Sequence, residues 1–188
     1  MCNSQTNRPI VSVFIGGFPM RVLGIDPGVT GAWAVVDCCA DNKGVPPEVV
    51  QLGDLPVRTI HMSRRDTKRL DVEKLDALFA DLLAPGLGID RVVVERLTGA
   101  PGITSTTAFS LGWTAAVLDT VLTAHGWKDY KATHPSAWKR ALLVPADKSA
   151  AKARATKLFR SDKHWPKEKD HNRAEAALIA LYGALSKG

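Results

Sequence analysis

Cysteine is scarce in this 188-residue chain, and the three present, Cys2 and the adjacent Cys38 and Cys39, have the spacing of neither a disulfide framework nor a thiolate metal site. Such usage suits a reducing cytoplasm. Long apolar runs are also lacking. The stretch from Ile10 to Phe18 is short and broken by Gly16 and Gly17, so it cannot span a bilayer, and no membrane association is expected. It leads straight into the next apolar segment, so residues 1–19 read as a flexible N-terminal extension, with Met20 as an alternative start. There is no GxxxxGK phosphate loop, no internal repeat and no Gly/Ser linker. Residues 20–188 therefore read as one domain, long enough to bury a full core.

What the chain does have is positive charge, in blocks. The formal net charge is +6, and residues 139–169 alone carry ten Lys and Arg against Asp147, Asp162 and Glu168. A second block, residues 57–70, sets Arg58, Arg64, Arg65, Lys68 and Arg69 against Asp66. Two basic blocks in an otherwise mildly acidic chain fit phosphate tracks on a nucleic acid.

Three carboxylates stand out against this background. The apolar run Val22, Leu23, Ile25 ends in Asp26-Pro27-Gly28 and restarts at Gly31 as AWAVV, the pattern of a tight hairpin between buried strands. Asp26 then sits at a strand end beside glycines that open the main chain to a metal ion or a phosphate. Residues 90–96, DRVVVER, form a second apolar run that ends in an acid, Glu95. Its continuous rather than alternating apolar character points to a strand covered on both faces. If the two strands are neighbours, Asp26 and Glu95 share one sheet edge, where a cation would relieve their repulsion. The third acid lies near the C-terminus, where Ala174, Leu178, Leu181, Tyr182 and Leu185 recur at helical spacing. Glu175 lies in the first turns of this helix, His171 four residues earlier on roughly the same face, and Asp170 near the helix start, where an N-cap is an equal reading.

Strands are expected at 20–26, 31–37, 48–60, 90–95 and 128–133, and helices at 71–84, 104–125, 135–142, 147–160 and 172–186. This alternation gives an α/β three-layer domain. The helix after Glu95 carries Phe109, Leu111, Trp113, Ala115, Ala116, Leu118 and Val121, more apolar surface than one sheet face requires, and a second subunit would cover the excess.

The ordered motifs GIDPGVTG, VVVER, HPSAWKRAL, the Asp147-Lys148 helix start and DHNRAEAALIA resemble those of the RuvC family of Holliday junction resolvases over most of residues 20–185. The version with WK after His-Pro and RAEAALIA at the end is similar to RuvC-like proteins of bacteriophages and prophages, which would place the chain in a bacterial or phage-infected cell. The resemblance implies an RNase H-like fold, a central mixed five-stranded sheet flanked by helices. It also implies a homodimer acting on four-way DNA junctions and other branched DNA, with no nucleotide cofactor.

Carried over residue by residue, Asp26 matches the first catalytic Asp, Glu95 the strand-end Glu and Glu175 the last acid, usually Asp. A fourth member is expected about one helical turn before Glu175; residue 172 is Asn, so His171 is the first choice and Asp170 the alternative. Together these residues would hold two Mg²⁺ ions about 4 Å apart, with Mn²⁺ as a substitute. Lys148, at a helix start beside Ser149, corresponds to a lysine near the scissile backbone. Lys139, Arg140, Lys152, Arg64 and Arg65 are the other expected DNA contacts, while Trp138 is expected to pack in the core. Two other readings are a catalytically silent junction-binding protein and an actin-like ATP-binding protein. The second is disfavoured by the short chain and by an acid on a C-terminal helix.

Overall fold

The computed structural model describes residues 20–39, 44–61, 66–99, 102–145, 147 and 150–186. The expected extension 1–19 and the candidate DNA contacts Arg64, Arg65 and Lys148 lie outside these residues. In chain order the elements are β1 (Met20–Asp26), β2 (Ala32–Cys38), β3 (Glu48–Asp54), β4 (Val57–Ile60), β5 (Thr67–Leu70), α1 (Val72–Leu82), β6 (Arg91–Glu95), α2 (Ser105–Ala124), β7 (Lys131–Thr133), α3 (Pro135–Ala141), α4 (Ala150–Phe159), a 3₁₀ turn (Glu168–Asp170) and α5 (His171–Leu185).

β1, β2, β3, β6 and β7 form a five-stranded sheet in the order β3-β2-β1-β6-β7. β1 runs antiparallel to β2 and parallel to β6, and β6 parallel to β7, so the sheet is mixed. Side-chain alternation explains why β1 and β6 read as unbroken apolar runs. Val22 and Val93 face a core built with α3, α4 and α5, whereas Leu23, Ile25, Val92 and Val94 face one built with α1 and α2. The result is an RNase H-like α/β three-layer fold, as expected.

α5 approaches β1 closely at Gly24, where alanines of the helix face the strand. Ala174, Ala176, Ala177, Ala180 and Ala184 are buried there. The strand residue beneath it, Gly24, has no room for a Cβ, which would strike the Ala176 carbonyl oxygen and the Ala180 amide nitrogen. Gly183 likewise fits its helix against Val93 and Val22.

Two expected strands need correction. The strand expected over 48–60 is two strands in different sheets, because the chain turns at Leu55-Pro56. β3 ends in register with Ala32, and β4 pairs antiparallel with β5, a strand the sequence reading did not contain. The basic block 57–70 thus holds a hairpin, closed at its base by the Asp71 amide donating to the Pro56 carbonyl at 2.9 Å and rooted by fully buried Leu70. The strand expected over 128–133 is shorter, beginning at Lys131 after a turn.

Candidate active site

Asp26 and Glu95 come together because β1 and β6 are parallel neighbours. Ile25 pairs with Val94, so the two acids stand one residue further along, at the same end of the sheet. Period-two alternation turns both toward the α5 layer, since Val22, Gly24 and Asp26 share one face and Val93 and Glu95 share the same one. Glu175, on the second turn of α5, reaches this edge from above, and its charge acts on both other carboxyls. The hairpin after Asp26 is closed by Gly31, whose amide donates to the Gly28 carbonyl at 3.0 Å. Any Cβ at Gly31 would run into the Asp26 carbonyl oxygen and the Gly28 backbone, so this glycine serves the turn itself.

Burial and mutual repulsion leave a clear electrostatic signature. The Asp26 carboxyl is held well above the usual carboxylate range, first by burial and then by the charges of Glu175 and Glu95. Glu95 is also raised, mainly by burial. It is partly restored by the indole N–H of Trp138, which donates to its Oε2 at 2.5 Å. Trp138 is fully buried, as expected, and it also orients a site carboxylate, which the sequence did not disclose.

α3 supplies the positive charge. Glu95 is in register with Thr133, the last residue of β7, so the helix that follows begins at the carboxylate edge. His134 caps it by accepting from the Ser136 amide at 3.2 Å, and Pro135 occupies its first turn. Lys139, one of the expected DNA contacts, lies 3.0 Å from Glu175 Oε1 with its ammonium 5.1 Å from the Trp138 ring centre. It draws the Asp26 and Glu95 carboxyls downward against their burial. Arg140 is exposed beside it.

The other candidates are placed differently. Asp170 is buried at the N-cap position of α5, but its carboxylate turns back to accept the Lys167 amide at 2.9 Å and makes no cap bond to α5. His171 opens α5 half-buried; neither it nor Asp170 is among the charges acting on Asp26 or Glu95. Asn172 donates through its side-chain amide to the Thr30 carbonyl, tying α5 to the loop after Asp26. Arg173 forms a two-pronged pair with Asp54 at 2.7 and 2.8 Å, fixing the same helix end to β3. The Lys152 ammonium donates to the carbonyls of Pro166 and Lys167 at 3.3 and 3.0 Å, so it braces the segment before α5.

Three converging carboxylates are the hard oxygen donors that Mg²⁺ or Mn²⁺ takes, and a divalent cation would relieve the unfavourable ionisation of Asp26 and Glu95. In donor chemistry the site therefore fits such ions. Among the described residues no three His, Cys, Asp or Glu side chains are yet spaced to hold one.

No protein-family model and no curated protein matches this sequence. Solved structures do resemble it in shape. Thermus thermophilus RuvC in complex with a Holliday junction substrate is 17% identical, with a TM-score of 0.57 over 88% of this chain and 94% of that one. A second Thermus thermophilus RuvC structure is 20% identical with a TM-score of 0.55 over the same shares, 88% and 94%. The yeast mitochondrial Holliday junction resolvase Ydc2 is 15% identical, with a TM-score of 0.54 over 88% of this chain and 78% of that one. The chain thus shares its fold with RuvC-type Holliday junction resolvases along most of its length.

Proposed function

We propose that this protein is a metal-dependent endonuclease that cuts branched DNA, four-way junctions foremost, by paired phosphodiester hydrolysis in a homodimer. The observation that carries this reading is the convergence of Asp26, Glu95 and Glu175 from three separate elements at one sheet end. Asp26, Glu95 and Glu175 would hold the ions, with His171 or Asp170 as the fourth member. Bound Mg²⁺ or Mn²⁺, two per site, supplies an activated water and neutralises charge on the phosphate.

The chain's own residues account for the rest. Trp138 holds the Glu95 carboxylate in one orientation. Lys139, once released from Glu175, brings an ammonium to a non-bridging phosphate oxygen, and Arg140 continues the positive track outward. Lys148, Arg64 and Arg65 are further proposed phosphate contacts, and Lys152 is a weaker one because its ammonium is already bonded.

A second copy of the chain fits α2. That 20-residue helix carries apolar side chains around its circumference rather than on one face, yet only Thr114, Leu118, Val121 and Leu122 are buried. Phe109 is 63% and Trp113 37% exposed, and an apolar groove runs between Trp113, Ala116, Val117 and Val72. Two-fold pairing would set two sites against two strands of a symmetric junction. No helix among the described residues is long and apolar enough to cross a membrane.

The test is nicking of a labelled four-way junction beside a linear duplex and a flap, with Mg²⁺ or EDTA, by wild type and Asp26→Asn. Symmetric metal-dependent cuts that the variant loses are expected. The ion pair between Lys139 and Glu175 favours one other reading, a junction-binding protein that does not cut. Tight junction binding with no cleavage under either metal would establish that alternative.

A further inference from the structure

The β4–β5 hairpin carries a charge arrangement that its own fold does not explain. Arg58 and Arg69 are directly opposite each other in its antiparallel register, so both side chains leave the same face. Like charges in that position repel, and strands of four residues have little stability to spare. Among the described residues no carboxylate pairs with Arg58, Lys68 or Arg69. The nearest acids in sequence are engaged elsewhere, Asp54 with Arg173 at 2.7 Å, Asp66 with His61 at 3.1 Å and Asp71 with Lys74 at 3.7 Å.

Arg69 is nevertheless held in place. Its Nη1 donates to the Lys68 carbonyl at 3.0 Å and to Ser110 Oγ at 3.1 Å, and its guanidinium carbon lies 5.8 Å from the ring centre of exposed Phe109. A planar fork fixed in this way has already lost much of the freedom that binding an anion would cost. The hairpin also starts from the carboxylate edge. Asp54, three residues before β4, is in register with Ala32, which pairs with Asp26, and the Leu55 amide donates to the Gly31 carbonyl at 2.9 Å.

We propose that this hairpin is a second nucleic-acid contact, in which Arg58 and Arg69 jointly hold one backbone phosphate of a DNA arm that passes the carboxylate edge. The anion between the two guanidinium groups removes the repulsion that the empty hairpin carries. The contact reads charge and not sequence. It rests on the proposal that the chain acts on branched DNA and adds to it a named anchor away from the carboxylates.

The experiment measures binding of a fluorescently labelled four-way junction by the Asp26→Asn protein, from about 50 to about 200 mM salt. Adding Arg58→Gln and Arg69→Gln together should reduce the slope of log affinity against log salt by about one, the value for a single phosphate, and Arg58→Gln alone by a fraction of that. The double change to lysine should restore most of the slope. Thermal unfolding of each variant reports whether loss of the arginine side chains has disturbed the fold, and the exposed single variant at Arg58 keeps the test usable if the double variant is unstable. An unchanged slope in the glutamine variants overturns the hairpin contact alone, whereas no junction binding by the parent protein overturns the branched-DNA reading as well.

Discussion

The Lys139 ammonium sits 3.0 Å from Glu175 Oε1 and also lowers the carboxyls of Asp26 and Glu95, so one lysine balances three acids. Only about a third of its side chain is exposed, at 35%, and Glu175 is less exposed still, at 19%. A divalent cation that enters the site must take over from this lysine.

Replacing Lys139 by Gln should therefore tighten Mn²⁺ binding about fivefold, the ratio that corresponds to roughly 1 kcal/mol of partly screened ion pairing. The metal-free variant should melt a few degrees below wild type, because three acids are left without their counter-charge. Calorimetric Mn²⁺ titration checks the first effect and thermal unfolding in EDTA the second. Equal or weaker Mn²⁺ binding would mean that the lysine does not compete with the ion.

A raised acid makes stability fall as pH rises. The Asp26 carboxyl is well above its ordinary 3.8 in the folded chain, so between that value and its folded pKa the native state binds more protons than the unfolded one. Ionising it on the way to neutral pH costs stability. Asp26→Asn should accordingly be more stable than wild type at pH 7 in EDTA, with the gap closing as pH drops toward 4. Urea unfolding of both proteins across that range is the check, and a gap that stays constant would remove Asp26 as its source.

Trp138→Phe keeps the buried ring and removes the one N–H that steadies Glu95. A hydrogen bond to a charged acceptor is worth about 1.5–3 kcal/mol. Its loss should raise the Glu95 carboxyl further and move the acid limb of the cleavage–pH profile to higher pH. A profile that only drops in height, with its limb unmoved, would indicate a packing effect instead.

Gly24→Ala should cost about 1–3 kcal/mol or more, because the added methyl meets helix backbone rather than a side chain that can turn away. Denaturant unfolding measures the loss. Metal-dependent activity should fall with it, since the helix that must move carries Glu175.

The parts of the site that were legible in the sequence share one property: each acid adjoins an apolar run whose period gives its element and its face. Asp26 ends β1, Glu95 ends β6, and Glu175 sits on a helix marked by alanines and leucines. Lys139 was legible as a basic residue but not as a partner of Glu175, because that pairing depends on how α3 leaves β7. The hairpin strand β5 was hidden for a different reason. Its residues, TKRL, offer a single buried apolar side chain, so no hydrophobic period announces it. Asp170 shows the limit of local pattern: its place at the start of α5 was readable, but its bond to the preceding turn was not.

The absence of a side chain between α5 and β1 at Gly24 has a mechanical consequence. Most helices rest on a cushion of branched side chains that can re-pack when a neighbour changes, whereas α5 rests at Gly24 on bare main chain. Such a seat transmits displacement without absorbing it. A shift of β1 against β6 moves two of the acids relative to each other, and a lift of α5 moves the third. The same close contact that seats α5 on β1 also serves as the alignment gauge of the charged edge.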